Sequence, residues 1–220
     1  TTTGAVWGNK VGGIADYDSR VNNSIAYTSP VFGGFSGAFV AGLGENKTAT
    51  VDANQNLSLH VKYAAGPILV GYAHQSQKVQ NGSAASTSAT TGVFTPAVAA
   101  TGTDTTKYNL IAGSYDFGVV KLVAGFNRAE VSDKKDNEYQ LGLNAPIGTS
   151  ANVAIGYTKS KGEVAGATTS NGKGYNVVGY YDLSKRTRLY AAASRTIADN
   201  DAGVDTAKTT TVGMGLRHNF

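Results

Sequence analysis

The sequence predicts an all-β protein whose strands form one antiparallel meander, the arrangement of a transmembrane β-barrel. Apolar residues recur with a period of two from about residue 20 to the last residue. The connections between the apolar runs alternate between short and long, as in membrane barrels. No apolar run approaches the roughly 20 residues of a spanning helix, and only 15% of the residues are charged. The absence of cysteine excludes disulfide scaffolds and thiolate sites.

Each predicted strand separates two faces. In LSLHVKY (57–63), two leucines, Val61 and Tyr63 alternate with a serine, His60 and Lys62. The pattern predicts about eleven strands, near 21–31, 34–44, 57–65, 67–78, 106–116, 119–131, 137–145, 151–160, 173–182, 187–197 and 208–220. Runs of this length approach the 9 to 11 residues that a tilted strand needs to cross a bilayer. The longer connections are expected near 45–56, 79–105, 132–136, 161–172 and 198–207.

Alternation alone does not separate a membrane barrel from a soluble β protein. The residues that alternate with the apolar ones are small or polar, with occasional cations. Such a face suits a water-filled interior. Tyrosines lie near the ends of the apolar parity, as an aromatic girdle requires, at Tyr27, Tyr63, Tyr72, Tyr157 and Tyr181. These features favour lipid around the apolar face, on which Ile25, Leu59, Val70, Leu122, Leu141, Ile155, Val177, Leu189 and Met214 are expected to lie exposed. The alternative is a non-transporting surface β protein, an adhesin or lectin-like module that presents the 79–105 loop.

The last predicted strand ends on an aromatic residue. In TVGMGLRHNF, Met214, Leu216 and Phe220 share one face. The sequence is typical of an ordinary amphipathic strand, but it also looks like the signal that the bacterial barrel-assembly machinery recognises. We therefore predict that Phe220, Leu216 and Met214 form an assembly signal.

Three segments resemble a known family, the trimeric general porins of Gram-negative bacteria, in their β-proteobacterial, anion-preferring branch. They are RVNNSIAYTSPVFGGF at 20–35, YYDLSKRTRLYA at 180–191 and GMGLRHNF at 213–220. The resemblance implies a homotrimer in the outer membrane, in contact with lipid and lipopolysaccharide. It also implies a passive channel for small hydrophilic solutes, preferably anions, with no enzymatic activity and no cofactor. A nucleic-acid partner is not expected, because the basic residues behind the net charge of +4 are scattered.

Members of this family have sixteen strands, whereas about eleven are predicted here. Because bacterial single-chain barrels have even strand numbers, eleven strands are not expected to close a barrel alone. The resemblance implies that 20–220 are the C-terminal eleven strands of a single barrel domain. It implies that 1–19 are the tail of the loop that narrows the pore, so that the chain is the C-terminal two-thirds of a porin.

Cations outnumber acids on the parity expected to face the lumen. They are Arg20, Lys62, Lys121, Arg188 and Arg217 with His60, against Glu138 and Asp182. We predict Arg20, Lys62 and Lys121 as pore-lining residues at or near the constriction, and Arg188, Arg217 and His60 as vestibule residues. Arg20 matches the pore-lining arginine of the family's R-x-N-N segment and is expected to open the first strand. Asp133 and Asp136 are expected to belong to a solvated loop, so no metal site is predicted.

Overall fold

The computed structural model describes residues 12–82, 85–88, 90 and 92–220. Its strands are β1 (Ser24–Thr28), β2 (Phe35–Leu43), β3 (Gln55–Ala65), β4 (Ile68–Gln80), β5 (Ser86–Thr87), β6 (Phe94–Thr95), β7 (Thr103–Asp116), β8 (Lys121–Val131), β9 (Lys134–Ile147), β10 (Ala151–Val164), β11 (Ala167–Asp182), β12 (Thr187–Asn200) and β13 (Asp205–His218). Among these residues there is no helix of the length and apolarity that crossing a membrane requires.

Eleven of the strands form one antiparallel sheet, which confirms the predicted all-β meander. Its order is β1-β2-β3-β4-β7-β8-β9-β10-β11-β12-β13, and β5 with β6 makes a small hairpin within the connection from β4 to β7. The strands β1 and β13 lie at the two edges, and no pairing joins them in the part of the chain that the structure describes. Residues 1–11 of the predicted constriction-loop tail lie outside the described residues.

The connections at one end of the sheet differ from the prediction. Loops 44–54 and 81–102 are long, but β8 joins β9 through residues 132–133 alone, and β10 joins β11 through 165–166. Ser132 and Ala165 have φ of 53° and 51°, as two-residue hairpin turns require. β12 joins β13 through residues 201–204. The longer loops predicted near 132–136, 161–172 and 198–207 are therefore wrong. Polar residues continue these strands beyond their apolar part, so apolar alternation ends before the strand does.

The two faces of the sheet have different surroundings. Residues 12–18, here called the strap, lie against one face, which we call the inner face. The strap residue Ile14 is buried with Tyr108 and Ala129, and Val131 packs against them. Together with Val51, these three are the buried hydrophobic residues of the described chain. A core this small cannot account for the apolar residues of eleven strands.

Those apolar residues lie on the opposite, outer face. Nine of them were expected to be exposed. Eight of these have 40% to 88% of their surface exposed, and Leu122 is half-buried. In a soluble β protein they would pack against one another, whereas here they require an apolar environment outside the sheet. The outer face therefore favours the membrane barrel over the soluble module.

Candidate functional site: the inner wall

Two predicted pore residues, Lys62 and Lys121, line one hollow of about 430 Å³ on the inner face. Lys62 on β3 lies opposite Gly71 on β4, which in turn lies opposite Ala112 on β7. Gly71 and Ala112 have little or no side chain. The space between the two lysines is therefore not filled, and the hollow stays open. His60, which we predicted among the vestibule residues, lines this hollow instead.

The two lysines differ in their electrostatic surroundings. The direct cross-strand neighbours of Lys62 are Ser36 and Gly71, both uncharged. Lys121 begins β8 directly opposite Asp116, whose carboxylate accepts the backbone N–H of Gly118 at 2.8 Å. The charge of Lys62 is therefore the less compensated of the two.

Two inward acids of β9 are buried, and one of them is bonded to the strap. Glu138 and Asp136 on β9 are both 0% exposed. Asn127 donates to Glu138 Oε2 at 2.8 Å, so the acid predicted to oppose the lumen cations is covered and hydrogen-bonded. Asp136 accepts the backbone N–H of Gly12 at 2.8 Å and the hydroxyl of Ser160 at 2.7 Å. The prediction that Asp136 belongs to a solvated loop is wrong, because β9 begins at residue 134 and turns this side chain inward.

The strap is held to the wall along its length. The hydroxyl of Tyr108 donates to the backbone oxygen of Ala15 at 2.7 Å. The backbone N–H of Asp18 donates to Gln75 Oε1 at 2.8 Å, and Gln75 Nε2 donates back to the Asp18 carbonyl at 3.0 Å. Asn56 Nδ2 donates to the Asp18 carboxylate at 3.0 Å. The strap thus fixes exposed acids, Asp18 among them, over the part of the wall near the long loops.

Arg20 follows the strap and is exposed. It borders a hollow of about 260 Å³ together with Asp18 and the inward residues Asn56 and Gln77. The prediction that Arg20 opens the first strand is wrong, because β1 begins at Ser24. The residues between them form a bend rather than part of the sheet. A pore-lining role for Arg20 remains a prediction.

The predicted vestibule arginines lie at the end of the sheet with the short 183–186 turn. Arg188 and Asp182 form a bidentate ion pair with Nε–Oδ1 and Nη2–Oδ2 distances of 2.6 and 3.1 Å. The guanidinium also lies 3.8 Å from the ring centroid of Tyr180. Arg217 is the direct cross-strand neighbour of Arg188 and donates to Asn219 at 3.3 Å. Asp182 therefore compensates Arg188 and leaves Arg217 as the uncompensated arginine of this pair.

The predicted assembly residues lie on or beyond the edge strand β13. Met214 and Leu216 face outward and are 88% and 58% exposed. Phe220 is fully exposed and contacts the ring of His218 edge to face, with centroids 4.9 Å apart. This exposure suits a recognition signal, which remains a prediction.

The comparisons with known proteins agree with this architecture. Residues 1–203 match the model of the Gram-negative porin family. The chain is 29% identical over 244 residues to an outer membrane porin protein of Bordetella pertussis, covering 91% of this chain and 58% of that protein. It is 30% identical over 231 residues to outer membrane porin protein 32 of Delftia acidovorans, covering 94% and 59%. The chain thus spans less than two thirds of the length of these relatives.

Among solved structures, an anion-selective porin from Comamonas acidovorans matches with a TM-score of 0.70. Its identity is 24%, and the match covers 91% of this chain and 60% of that one, which establishes a shared fold. Porins are passive channels of the outer membrane, not enzymes. The family match, the meander of eleven strands and the outward apolar face together lead to one conclusion: this chain belongs to the Gram-negative porin family.

Proposed function

We propose that the complete protein forms a water-filled channel in the outer membrane, through which small hydrophilic solutes diffuse passively with a preference for anions. The observation that carries the proposal is the exposed Lys62 in the inner-wall hollow, with Lys121 across it and no acid beside Lys62. A fixed positive charge on the wall of a narrow aqueous pore raises the local concentration of anions.

The position of the acids supports this preference. Asn56, which holds Asp18 of the strap, precedes Lys62 by six residues on β3, or about 20 Å at 3.3 Å per residue. That separation is about twice the Debye length at 0.1 M salt, so the strap acids are largely screened from Lys62. Glu138 and Asp136 are buried, and Asp182 is paired with Arg188. The solved porin of the same fold is described as anion-selective, which agrees with the charge argument without replacing it.

The test is the zero-current potential of the complete porin in a planar bilayer under a KCl gradient. We expect a wild-type potential that indicates chloride preference, and a smaller one in Lys62→Gln. Lys121→Gln should have a weaker effect, because Asp116 already lies opposite Lys121. Lys135→Gln is the matched control, since it removes the same charge from the outer face of β9, where its cross-strand neighbours are Glu130 and Glu163.

The difference between wild type and Lys62→Gln should grow as the salt concentration falls, because screening weakens. A cation-selective wild type would refute the proposed preference. An equal change in Lys62→Gln and Lys135→Gln would remove Lys62 from the pore and leave the channel itself standing. The same recordings on Arg20→Ala decide whether the exposed arginine after the strap also contributes.

We also propose that the complete porin is a homotrimer, as the family resemblance implies. The outer face of β13, with Val212 at 77% and Met214 at 88% exposed, needs lipid or another subunit to cover it. Cross-linking in native outer membranes should give a species of three times the monomer mass, whereas a monomer alone would contradict the proposal.

A further inference from the structure

The inner-wall hollow between Lys62 and Lys121 has apolar sides, although it lies on the face expected to meet water. Leu69 on β4 and Leu110 on β7 line it, together with Val123 on β8. All other leucines of the described strands lie on the outer face. The two inward leucines therefore depart from the alternation that the rest of the sheet follows.

Both leucines occur where apolar residues occupy consecutive positions of a strand. Ile68, Leu69 and Val70 follow one another in β4, and Leu110 precedes Ile111 in β7. In each run the neighbours keep the outer face apolar, so the leucine is an additional apolar residue on the inner face. Leu69 is 40% exposed and Leu110 is half-buried. An exposed apolar patch with polar residues at its rim is typical of a ligand-binding groove.

The size and the charge of the hollow fit a small organic anion. Its volume of about 430 Å³ lies within the range of about 300–1,000 Å³ for small-molecule sites. Gly71 and Ala112 leave the floor low enough for a flat group to approach the backbone. Lys62 has no acid opposite it, whereas Lys121 lies opposite Asp116, which repels an anion there. An anionic group is therefore directed to Lys62 and an apolar group to the leucines.

We propose that the inner-wall hollow is a binding subsite for aromatic carboxylates, which combine an ionised carboxylate with a flat apolar ring. Lys62 Nζ donates charge-assisted hydrogen bonds to the carboxylate, while the ring covers Leu69 and Leu110 and releases the water that hydrated them. Chloride or acetate can use the lysine but gains little from the apolar sides. The subsite rests on the proposed function, because it selects among the anions that enter the channel.

The test compares benzoate with acetate on the complete porin at neutral pH, where both probes are ionised. Each is titrated against the chloride current through a planar bilayer, and the concentration that halves the current is measured. Benzoate should act at a concentration about tenfold lower than acetate, the equivalent of nearly two buried methylenes. Saturation-transfer NMR of the same two probes, with the porin in detergent and protein-free micelles as the blank, measures binding without conduction.

Three variants separate the charge from the apolar contact. Leu69→Asn should weaken benzoate about fourfold, the equivalent of one buried methylene, and leave acetate unchanged. Lys62→Gln should weaken both probes by a similar factor, up to about fivefold for an exposed ion pair. The matched control is Val178→Asn, the same kind of change on the inner face of β11, which should alter neither probe. If Leu69→Asn does not fold, Leu69→Ala should weaken benzoate selectively in its place.

Equal action of benzoate and acetate on wild type would overturn the proposal, since water or another segment of the complete chain would then fill the hollow. An equal loss of benzoate binding in the Leu69 variant and in Val178→Asn would also overturn it. A porin that conducts with chloride preference and treats the two probes alike would refute the subsite alone. A protein that binds benzoate better than acetate by NMR and carries no KCl current would refute the channel and support the subsite.

Discussion

A single methyl group added at Gly162 should detach the Gly12 end of the strap from the wall. A Cβ built on this inward residue of β10 would lie 2.8 Å from Gly12 Cα and 3.2 Å from Gly12 N. It would also lie 2.5 Å from the hydroxyl oxygen of Ser170, which is a side chain and can turn away. The backbone atoms of Gly12 cannot turn away in this manner. In Gly162→Ala the strap itself must therefore shift.

The shift has two energetic consequences. Overpacking of a close contact costs about 1–3 kcal/mol. Moving Gly12 also breaks its 2.8 Å hydrogen bond to the buried Asp136 carboxylate, and a bond to a charged group is worth about 1.5–3 kcal/mol. The strap stays attached further along, where Ala15 accepts from Tyr108 and Asp18 pairs with Gln75. We therefore expect a loss of a few kcal/mol at most, confined to the strap end nearest Gly12, with the sheet intact.

Two assays on the complete porin measure this effect. Hydrogen exchange should show faster exchange at the Gly12 amide in Gly162→Ala, and single-channel records should show more current noise, because the loosened segment lies on the inner wall. The control is Gly142→Ala, also an inward glycine, whose added Cβ would meet only the Ile155 carbonyl oxygen at 3.5 Å. If the two variants exchange equally fast at Gly12 and are equally noisy, the close approach of strap and wall does not exist and the reasoning fails.

Two further substitutions test other parts of the structure. Tyr108→Phe removes the hydroxyl that donates to Ala15 and should lower the free energy of unfolding by about 1 kcal/mol in denaturant melts. Tyr139→Phe, on the exposed outer face, should leave it unchanged. Equal effects of the two substitutions would contradict the strap contact. Phe220→Ser should reduce the amount of heat-modifiable, folded porin in the outer membrane. Phe117→Ser, which also replaces an exposed aromatic residue, should not reduce it. An unchanged amount of folded Phe220→Ser would exclude Phe220 from the assembly signal.

Much of the sheet could be predicted because a period of two assigns side chains to faces without any knowledge of distant contacts. Lys62 and Lys121 follow from parity alone, and both lie on the inner face. The ends of the strands could not be predicted in this way. Lys161 and Glu163 continue β10 as a salt-bridged polar extension, and no apolar alternation marks it.

The strap contacts could not be predicted because they join residues far apart in the sequence. Asp136 bonds to Gly12 across 124 positions. Nothing local distinguishes Asp136 from a solvated acid, since two lysines precede it and an asparagine follows. Only the Gly12 and Gly162 pair hints at a close approach of two backbones, and glycine is too common in this chain for that signal to stand out.

Contacts on the inner face decide which of its charged residues remain available to act on a passing ion. Parity alone opposes the lumen cations with Glu138 and Asp182, yet Glu138 is buried and Asp182 is paired with Arg188. The strap in turn brings Asp18 onto the wall near the long loops, about 20 Å along β3 from Lys62. Since charges separated by more than a Debye length act almost independently, a passing ion meets these groups one after another. Selection therefore depends on the few charges at the narrowest level of the pore, and Lys62, which has no acid beside it, is the strongest candidate on this part of the wall.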